Sequence, residues 1–264
     1  MANGPSISDA GPVTTLLTII VPAWNEEANL ESCLSTLCAT FADWSHELVV
    51  IDDGSVDKTR SIADAFAARH PERVRVLSHA INQGLGAVLR TGFNAGRGTY
   101  VTCCPADFQM TPDDWAPFAA SFGQADVPVG CRQRREGYNP LMRFNAWLYP
   151  RIVGGLFGLR LRDVNWICVY RRELIQRVGL TQKGIPMLTE TLVKLRDLGA
   201  TFQQVNCRMQ PRRLGTPSAS RLRVMWRTLT GLLQFWWNYR VEENRCENPA
   251  SRPARPVPRH PAGD

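Results

Sequence analysis

The sequence predicts an α/β protein whose open, mostly parallel sheet carries helices on both faces. Apolar runs rich in β-branched residues recur five times between residues 16 and 132, as buried parallel strands require. Amphipathic segments with helical spacing separate these runs. Polar residues follow each run, at the carboxyl ends of the strands, where ligands bind in such folds.

The first half of the chain alternates strand and helix in a regular order. Strands are predicted at residues 16–22, 47–53, 73–79, 100–107 and 126–132. Helices are predicted at residues 26–37, 57–68 and 84–95. A further helix is expected to begin at 111–114, because a threonine cap precedes a proline and two acids, which suit the positive end of a helix dipole.

The second half is less regular. Residues 141–161 are apolar and aromatic, 164–170 and 201–209 suit strands, and 188–198 suit a helix that ends at a glycine. A long helix is predicted over 220–239. We expect a head (1–15) and an Arg/Pro tail (241–264) that are disordered, around one domain over 16–240.

The composition limits the classes of partner. Hydrophobic residues make up 44% and charged residues 21%, which excludes a wholly disordered chain, collagen and a coiled coil. The 31 Lys+Arg exceed the 24 Asp+Glu, so the net charge is +7, which suits nucleic acid, a membrane surface or a phosphorylated molecule. A solvated tail explains part of this excess. The rest concentrates in 132–240, which favours a phosphorylated small molecule or lipid over nucleic acid.

The cysteines and the hydropathy indicate a cellular compartment. None of the eight cysteines forms a Cys-x-x-Cys pair and the histidines have no ligand spacing, so we expect reduced core thiols and no zinc site. No signal-peptide pattern opens the sequence and no apolar run reaches about 20 residues. We therefore expect a cytoplasmic protein, with peripheral contact at the inner face of the membrane as one alternative.

Seven motifs in order carry a resemblance to a known family. They are IIVPAWNEEANL (19–30), VVIDDGSVDKT (49–59), NQGLGAVLRTGFNAGRGTYV (82–101), ADFQMTPDD (106–114), VGCR (129–132), the segment around Asp163, and RRLG (212–215). Together they resemble the inverting family 2 glycosyltransferases of the glycosyltransferase-A fold, of the dolichol-phosphate mannose synthase and polyprenyl-phosphate glycosyltransferase type. The resemblance implies a nucleotide-sugar half at 16–132 and an acceptor half at 133–240.

The resemblance implies a UDP- or GDP-sugar donor held at the strand ends. It places these residues at the nucleotide: Pro22, Ala23, Asn25, Glu26, Asp53, Gly84 and Asp107. Asp53 matches the acid that reads the donor base, and the small residues at 84–86 let a phosphate approach helix N–H groups. Glu26 has an equally plausible structural role in the first turn of the next helix.

The metal motif departs from the family pattern. The family usually supplies Asp-x-Asp, often followed by x-Gln, for Mg²⁺ or Mn²⁺, but here the first acid is Pro105. The resemblance still implies a metal on Asp107 and Gln109, completed by diphosphate and water. Weak metal binding, or an altered or inactive site, are the alternatives.

The other predicted catalytic residues lie at the end of the nucleotide-sugar half and in the acceptor half. Arg132 and Arg212 match family arginines that suit a phosphate, with surface solvation as the alternative. Asp163 is expected to orient the acceptor or help activate a hydroxyl, or else to form a structural salt bridge. Because 165–167 depart from the family pattern, the pocket is expected to be unusual.

These observations leave several functions open. The leading hypothesis is sugar transfer, with inversion, to a polyprenyl phosphate. The rivals are transfer to a soluble natural-product or nucleoside hydroxyl, a catalytically impaired binding homologue, and a nucleic-acid binder, which the strand-end acids oppose. Tryptophans near arginines suggest a membrane interface, with a core or oligomer face as the alternative. These are Trp147, Trp226, Trp236 and Trp237.

Overall fold

The structure is a computed structural model that describes residues 15–105, 112–133, 138–182, 184–207 and 222–247. Its strands are β1 (Leu17–Ala23), β2 (His46–Asp52), β3 (Val74–Ser78), β4 (Tyr100–Cys103), β5 (Val127–Arg132), β6 (Val169–Arg171) and β7 (Phe202–Cys207). Its helices are α1 (Leu30–Thr40), α2 (Thr59–Arg69), α3 (Leu85–Ala95), α4 (Pro112–Ala119), α5 (Pro140–Phe157), α6 (Arg172–Ile175), α7 (Ile185–Asp197) and α8 (Leu222–Glu247).

The main sheet confirms the predicted architecture. Its strand order is β3-β2-β1-β4-β6, in which the first four strands are parallel and β6 runs antiparallel to β4. Alternate residues of β1 enter two separate cores, with Ile19 on one face and Ile20 on the other. Helices α1, α2 and α4 contribute to the first core, and α3, α5, α7 and α8 to the second. The sheet therefore lies between two helical layers, which explains why its central strands are apolar throughout.

The fifth predicted strand does not extend the main sheet. β5 pairs in parallel with β7 as a second sheet, and an isolated antiparallel bridge joins Val129 to Cys168, just before β6. The outer edge of β4 is occupied by β6, whose approach is fixed by a hydrogen bond from Thr102 Oγ1 to the Cys168 carbonyl (2.9 Å). β5 thus finds its partner about 75 residues downstream.

Several element boundaries differ from the sequence prediction. α1 begins at Leu30 instead of residue 26, because residues 24–29 form a loop with a left-handed residue at Asn25 (φ 54°). α8 continues to Glu247, past the boundary predicted at residue 240. The head up to residue 14 and the tail from residue 248 lie outside the described residues.

Two further expectations concern hydropathy and cysteines. Within the described ranges, no helix is both long and apolar enough to cross a bilayer. Seven of the eight cysteines are described with free thiols. Burial raises the pKa of Cys168 to about 12 and that of Cys207 to about 11, so both thiols are protonated core groups at neutral pH.

Candidate active site

The loops that follow β1 and β2 are joined by reciprocal hydrogen bonds at the carboxyl edge of the sheet. The backbone N–H of Asn25 donates to Ser55 Oγ (3.0 Å), and the Val56 N–H donates back to Asn25 Oδ1 (3.0 Å). The Glu26 N–H donates to Thr59 Oγ1 (2.7 Å). Asn25 suits this role, because asparagine tolerates the left-handed region and its amide can bond the neighbouring backbone.

The β2 loop also packs backbone to backbone against the loop after β3. Gly54 has a φ of +69°, and a Cβ added there would lie 2.6 Å from the carbonyl carbon of Ile81. Any side chain at this position would push the two loops apart. The three strand-end loops therefore form one connected surface above β1, β2 and β3.

Asp53 holds the start of α3. Its carboxylate accepts hydrogen bonds from the N–H groups of Gln83 (3.0 Å) and Gly84 (2.7 Å) and lies 2.6 Å from His79 Nδ1. His79 Nε2 lies 2.9 Å from Thr91 Oγ1 on α3. Burial opposes the negative charge, but these hydrogen bonds outweigh it and lower the pKa of Asp53. Both carboxylate oxygens of Asp53 accept backbone N–H hydrogen bonds, so this ionised group serves the protein's own backbone.

This geometry changes the expectation for two nucleotide residues. The N–H of Gly84, predicted to meet a donor phosphate, donates instead to Asp53. Gly84 has a backbone angle (φ +82°) that residues with a side chain rarely adopt. An added Cβ would meet no atom within 4 Å, so the backbone angle, and not a lack of space, requires glycine here. Asp53, predicted to read the base, already accepts hydrogen bonds on both oxygens.

The neighbouring acid, Asp52, was not among the nucleotide-binding residues predicted from the sequence. Among the described residues its carboxylate accepts a single hydrogen bond, from the N–H of Ser55 (3.1 Å). Strand alternation is the signal that could have found it. Asp53 follows Val49 and Ile51, which enter the core with α3, whereas Asp52 follows Leu48 and Val50 on the opposite face.

The remaining predicted nucleotide residues lie at the same edge. Pro22 and Ala23 end β1, and the Ala23 carbonyl accepts a hydrogen bond from the N–H of Asp53 (2.8 Å). Glu26 is half-buried, and its Oε2 accepts a hydrogen bond from Asn29 Nδ2 (3.0 Å) within the turn before α1. The structure thus brings all six described nucleotide candidates to one edge of the sheet.

Arg132 and Asp163 form a buried ion pair between the end of the nucleotide-sugar half and the acceptor half. Arg132, at the end of β5, donates from Nε to Asp163 Oδ2 (2.7 Å) and from Nη2 to Oδ1 (2.8 Å). Its Nη1 donates to the Tyr138 hydroxyl (2.8 Å), and its guanidinium carbon lies 4.9 Å from the Trp166 ring centroid. The two charged side chains are 9% and 3% exposed. Burial opposes the charge on Arg132, but the hydrogen bonds and charge of Asp163 outweigh it and raise the pKa of Arg132.

The ion pair sits where two motifs meet. A Cβ added at Gly130 would lie 2.7 Å from the Ile167 carbonyl oxygen and 2.9 Å from Trp166 Cδ1, so the glycine allows the 165–167 segment to pack on β5. All three nitrogens of Arg132 donate to described residues. Asp163 therefore forms a salt bridge within the protein, which was one of the alternatives predicted for it. Tyr138 is a further partner of Arg132 that the sequence did not predict.

Comparison with known proteins assigns the chain to a family. Residues 18–179 match the family model described as glycosyl transferase family 2. The chain belongs to glycosyl transferase family 2. The predicted resemblance is confirmed.

Several curated relatives carry polyprenyl-phosphate or related names. Dodecaprenyl-phosphate galacturonate synthase of Rhizobium johnstonii is 27% identical over 175 residues, which cover 64% of this chain and 52% of that protein. Polyprenol monophosphomannose synthase of Mycolicibacterium smegmatis is 27% identical over 219 residues, which cover 76% of this chain and 80% of that protein. The chain spans about half the length of the first relative, and likewise 52% of dolichol-phosphate mannosyltransferase of Pyrococcus furiosus.

Solved structures support the fold. Glucosyl-3-phosphoglycerate synthase from Mycobacterium tuberculosis, crystallised with Mn²⁺, UDP and phosphoglyceric acid, has a TM-score of 0.63 and 22% identity. The match covers 84% of this chain and 78% of that chain. The predicted glycosyltransferase-A fold of this family 2 chain is confirmed.

The described part of this family 2 chain does not by itself provide a metal site. Pro105, exposed after β4, has no side-chain oxygen, and the described residues contain no group of three His, Cys, Asp or Glu side chains able to hold a metal ion. Asp107, Gln109 and Arg212 lie outside the described residues. A cation would therefore depend on Asp107 and Gln109, and their predicted role stays a prediction.

Proposed function

We propose that this family 2 protein transfers a sugar, with inversion, from a nucleoside diphosphate to a polyprenyl phosphate. The choice of acceptor rests on the buried, doubly hydrogen-bonded ion pair of Arg132 and Asp163. A hydroxyl acceptor needs a base to remove its proton, and both oxygens of the buried Asp163 carboxylate already accept hydrogen bonds from Arg132. A phosphate oxygen is already anionic at neutral pH and needs no strong base. The polyprenyl-phosphate names of the relatives support the same choice.

The donor is proposed to be a UDP- or GDP-sugar bound over the connected strand-end loops. Asp52 and Asp53 are equally buried (4% and 3% exposed), but the Asp52 carboxylate accepts only one described hydrogen bond. Asp52 is therefore the better candidate to accept a base N–H, and Asp53 is proposed to fix the start of α3 beside it. Asp107 and Gln109 are proposed to hold Mg²⁺ or Mn²⁺. Such a cation, when bound, neutralises charge on the leaving diphosphate.

The acceptor phosphate is proposed to contact Arg212. Three of the five N–H groups of Arg132 donate to Asp163 and Tyr138, and its side chain is only 9% exposed, so its proposed role is to position the 163–167 segment. The proposed place of action is the cytoplasmic face of a membrane, where a polyprenyl phosphate presents its headgroup.

One observation favours a second candidate, transfer to a soluble hydroxyl. Because three N–H groups of the buried Arg132 already donate to Asp163 and Tyr138, the described residues present one phosphate-binding arginine fewer than the sequence predicts. An acceptor panel separates the candidates: labelled UDP- and GDP-sugars with Mn²⁺ are offered a polyprenyl phosphate, the matching polyprenol and a soluble nucleoside. We expect label only on the polyprenyl phosphate. Label on the nucleoside alone would establish the second candidate instead.

Two variants test the proposed residues. Asp107→Ala should abolish transfer without changing the unfolding temperature, and wild-type turnover in that variant would remove the metal and diphosphate assignment. Arg212→Ala should raise the KM for the acceptor while donor binding, measured by thermal shift with UDP or GDP, is retained. Loss of donor binding would place Arg212 on the diphosphate. No sugar-nucleotide binding by the wild-type chain, with or without Mn²⁺, would indicate an impaired homologue.

A further inference from the structure

The outer face of α5 exposes large apolar side chains. Phe144 and Trp147 are 54% and 50% exposed, and Leu141 is 42% exposed one turn earlier. The two aromatic rings lie nearly parallel, with centroids 5.9 Å apart. The opposite face of the helix enters the core through Val153 and Phe157. The exposed rings therefore add nothing to the hydrophobic core, and their exposure calls for another explanation.

The charged residues of α5 itself are arginines alone. Arg151 places its guanidinium carbon 4.1 Å from the Trp147 ring centroid and donates from Nη1 to the Trp147 carbonyl (2.8 Å). Arg143 is also exposed and donates to the Tyr138 carbonyl (3.2 Å). The 18 residues of α5 contain no Asp or Glu. The arginines contact backbone carbonyls and a ring, so their charge is not neutralised within the helix.

α8 carries a second stripe of the same composition. Trp226, Leu233 and Trp237 are exposed at spacings of seven and four residues, which places them on one side of the helix, and residues 222–241 contain no acid. Trp236 does not belong to this stripe, because it packs against the second core with a buried indole nitrogen. The prediction that Trp236 faces a membrane is therefore corrected, while the other three tryptophans are exposed.

We propose that the outer face of α5 binds the surface of an anionic lipid bilayer. Phe144 and Trp147 enter the headgroup region, and Arg143 and Arg151 pair with lipid phosphates while their stems stay along the helix. A second copy of the chain fits this face poorly, since a symmetric contact would bring arginines together with no acid on either helix to pair with them. The inference deepens the proposed function, because it would hold the enzyme where its lipid acceptor lies.

Vesicle co-sedimentation of the full chain tests the proposal, with vesicles of phosphatidylcholine alone or mixed equally with phosphatidylglycerol. The wild-type chain should pellet with the anionic vesicles and release as salt is raised. Phe144→Ser/Trp147→Ser should weaken binding by about tenfold or more, because two aromatic side chains no longer leave water. Arg143→Gln/Arg151→Gln should weaken binding by about fivefold for each arginine and reduce its dependence on salt.

Trp24→Ser is the matched control. Trp24 is 53% exposed, like Trp147, but lies on the β1 loop of the nucleotide half, so its loss should leave vesicle binding unchanged. Circular dichroism of each variant excludes unfolding as the cause of a loss. Wild-type binding by Phe144→Ser/Trp147→Ser, equal binding to both vesicle types, or no binding by the wild-type chain would each overturn the proposal. So would a dimer in solution that Trp147→Ser converts to a monomer.

Failure of this surface and failure of the proposed function give different results. Vesicle binding needs neither donor nor acceptor, so it can be present in a chain that transfers no sugar. If both proposals hold, Phe144→Ser/Trp147→Ser loses transfer to a polyprenyl phosphate in vesicles and keeps transfer to the same lipid dispersed in detergent. Loss of both activities with retained fold would place these residues in the acceptor site and overturn the membrane surface.

Discussion

Asp163→Ala should be among the most destabilising single substitutions in the described acceptor half. Removing the carboxylate takes away two short hydrogen bonds from Arg132, at 2.7 and 2.8 Å, and leaves a guanidinium that is only 9% exposed. The Tyr138 hydroxyl and the Trp166 ring stay in contact, but neither carries a negative charge.

The expected cost follows from the burial of the pair. Removing one partner of a buried ion pair typically costs about 3–5 kcal/mol, because the remaining charge is left without compensation. For a domain of this size, about 2–4 °C of melting temperature is lost per kcal/mol, so the expected decrease is about 6–20 °C. In the variant, the hydrogen bonds and charge of Asp163 that raise the pKa of Arg132 are absent, while burial, which lowers that pKa, remains.

Urea unfolding followed by circular dichroism measures the effect. Asp64→Ala is the control, because Asp64 pairs with Arg60 at the same 2.7 Å distance but with side chains about half exposed. That surface pair should be worth about 0.3–0.5 kcal/mol. The double variant Arg132→Leu/Asp163→Leu should recover part of the loss, since no unpaired charge is left. If Asp163→Ala costs no more than Asp64→Ala, the burial argument is refuted.

Three further predictions concern stability. Asp53→Asn should cost about 1–3 kcal/mol at neutral pH, because an amide cannot accept all the hydrogen bonds of the carboxylate. Since the folded pKa of Asp53 is lowered, its contribution is present above the unfolded value near 3.8 and lost as the pH falls through the folded value, so the variant should show a flatter acid limb in urea titrations. Gly54→Ala should cost at least about 2 kcal/mol, because the added carbon would collide with the backbone of Ile81. Gly155→Ala is the control: it lies in a helix with no atom near the added carbon and should stabilise the protein by about 0.5–1 kcal/mol. Thermal melts measure both. Glu190→Ala should cost about 3 kcal/mol or more in urea unfolding, because this fully buried carboxylate holds the N–H groups that precede α7 and a lysine; a loss below about 1 kcal/mol would contradict its role.

The local pattern of apolar and polar residues was sufficient to predict the strands of the first half and the start of α4. The five strands of the first half appear at the predicted positions within a few residues, because a strand buried on both faces has to be apolar throughout. The start of α4 at Pro112 follows from the residue types that favour a helix N-terminus. The family and its fold were also readable, since the strand-end motifs are short and keep their order.

The detailed contacts of the candidate site were less readable. Asp52 and Asp53 are adjacent acids, and only the packing of α3 decides that Asp53 turns inward to the start of that helix. Arg132 was expected to grip a phosphate, but the loop after α5 brings Asp163 within hydrogen-bond distance of it. Residue type indicates what a side chain can bind, whereas its partner depends on which segments meet.

The sequence by itself determined the alternation of strands and helices, the family, and the edge of the sheet where polar side chains collect. These features depend on residue spacing and on chain direction, which are local. The tertiary structure decided that β5 pairs with β7, that Arg132 is held by Asp163, and that Trp236 is packed inward while Trp147 is exposed. These contacts join segments that are far apart in the chain. Which surfaces pack together depends on the whole fold, so neither segment alone predicts the contact.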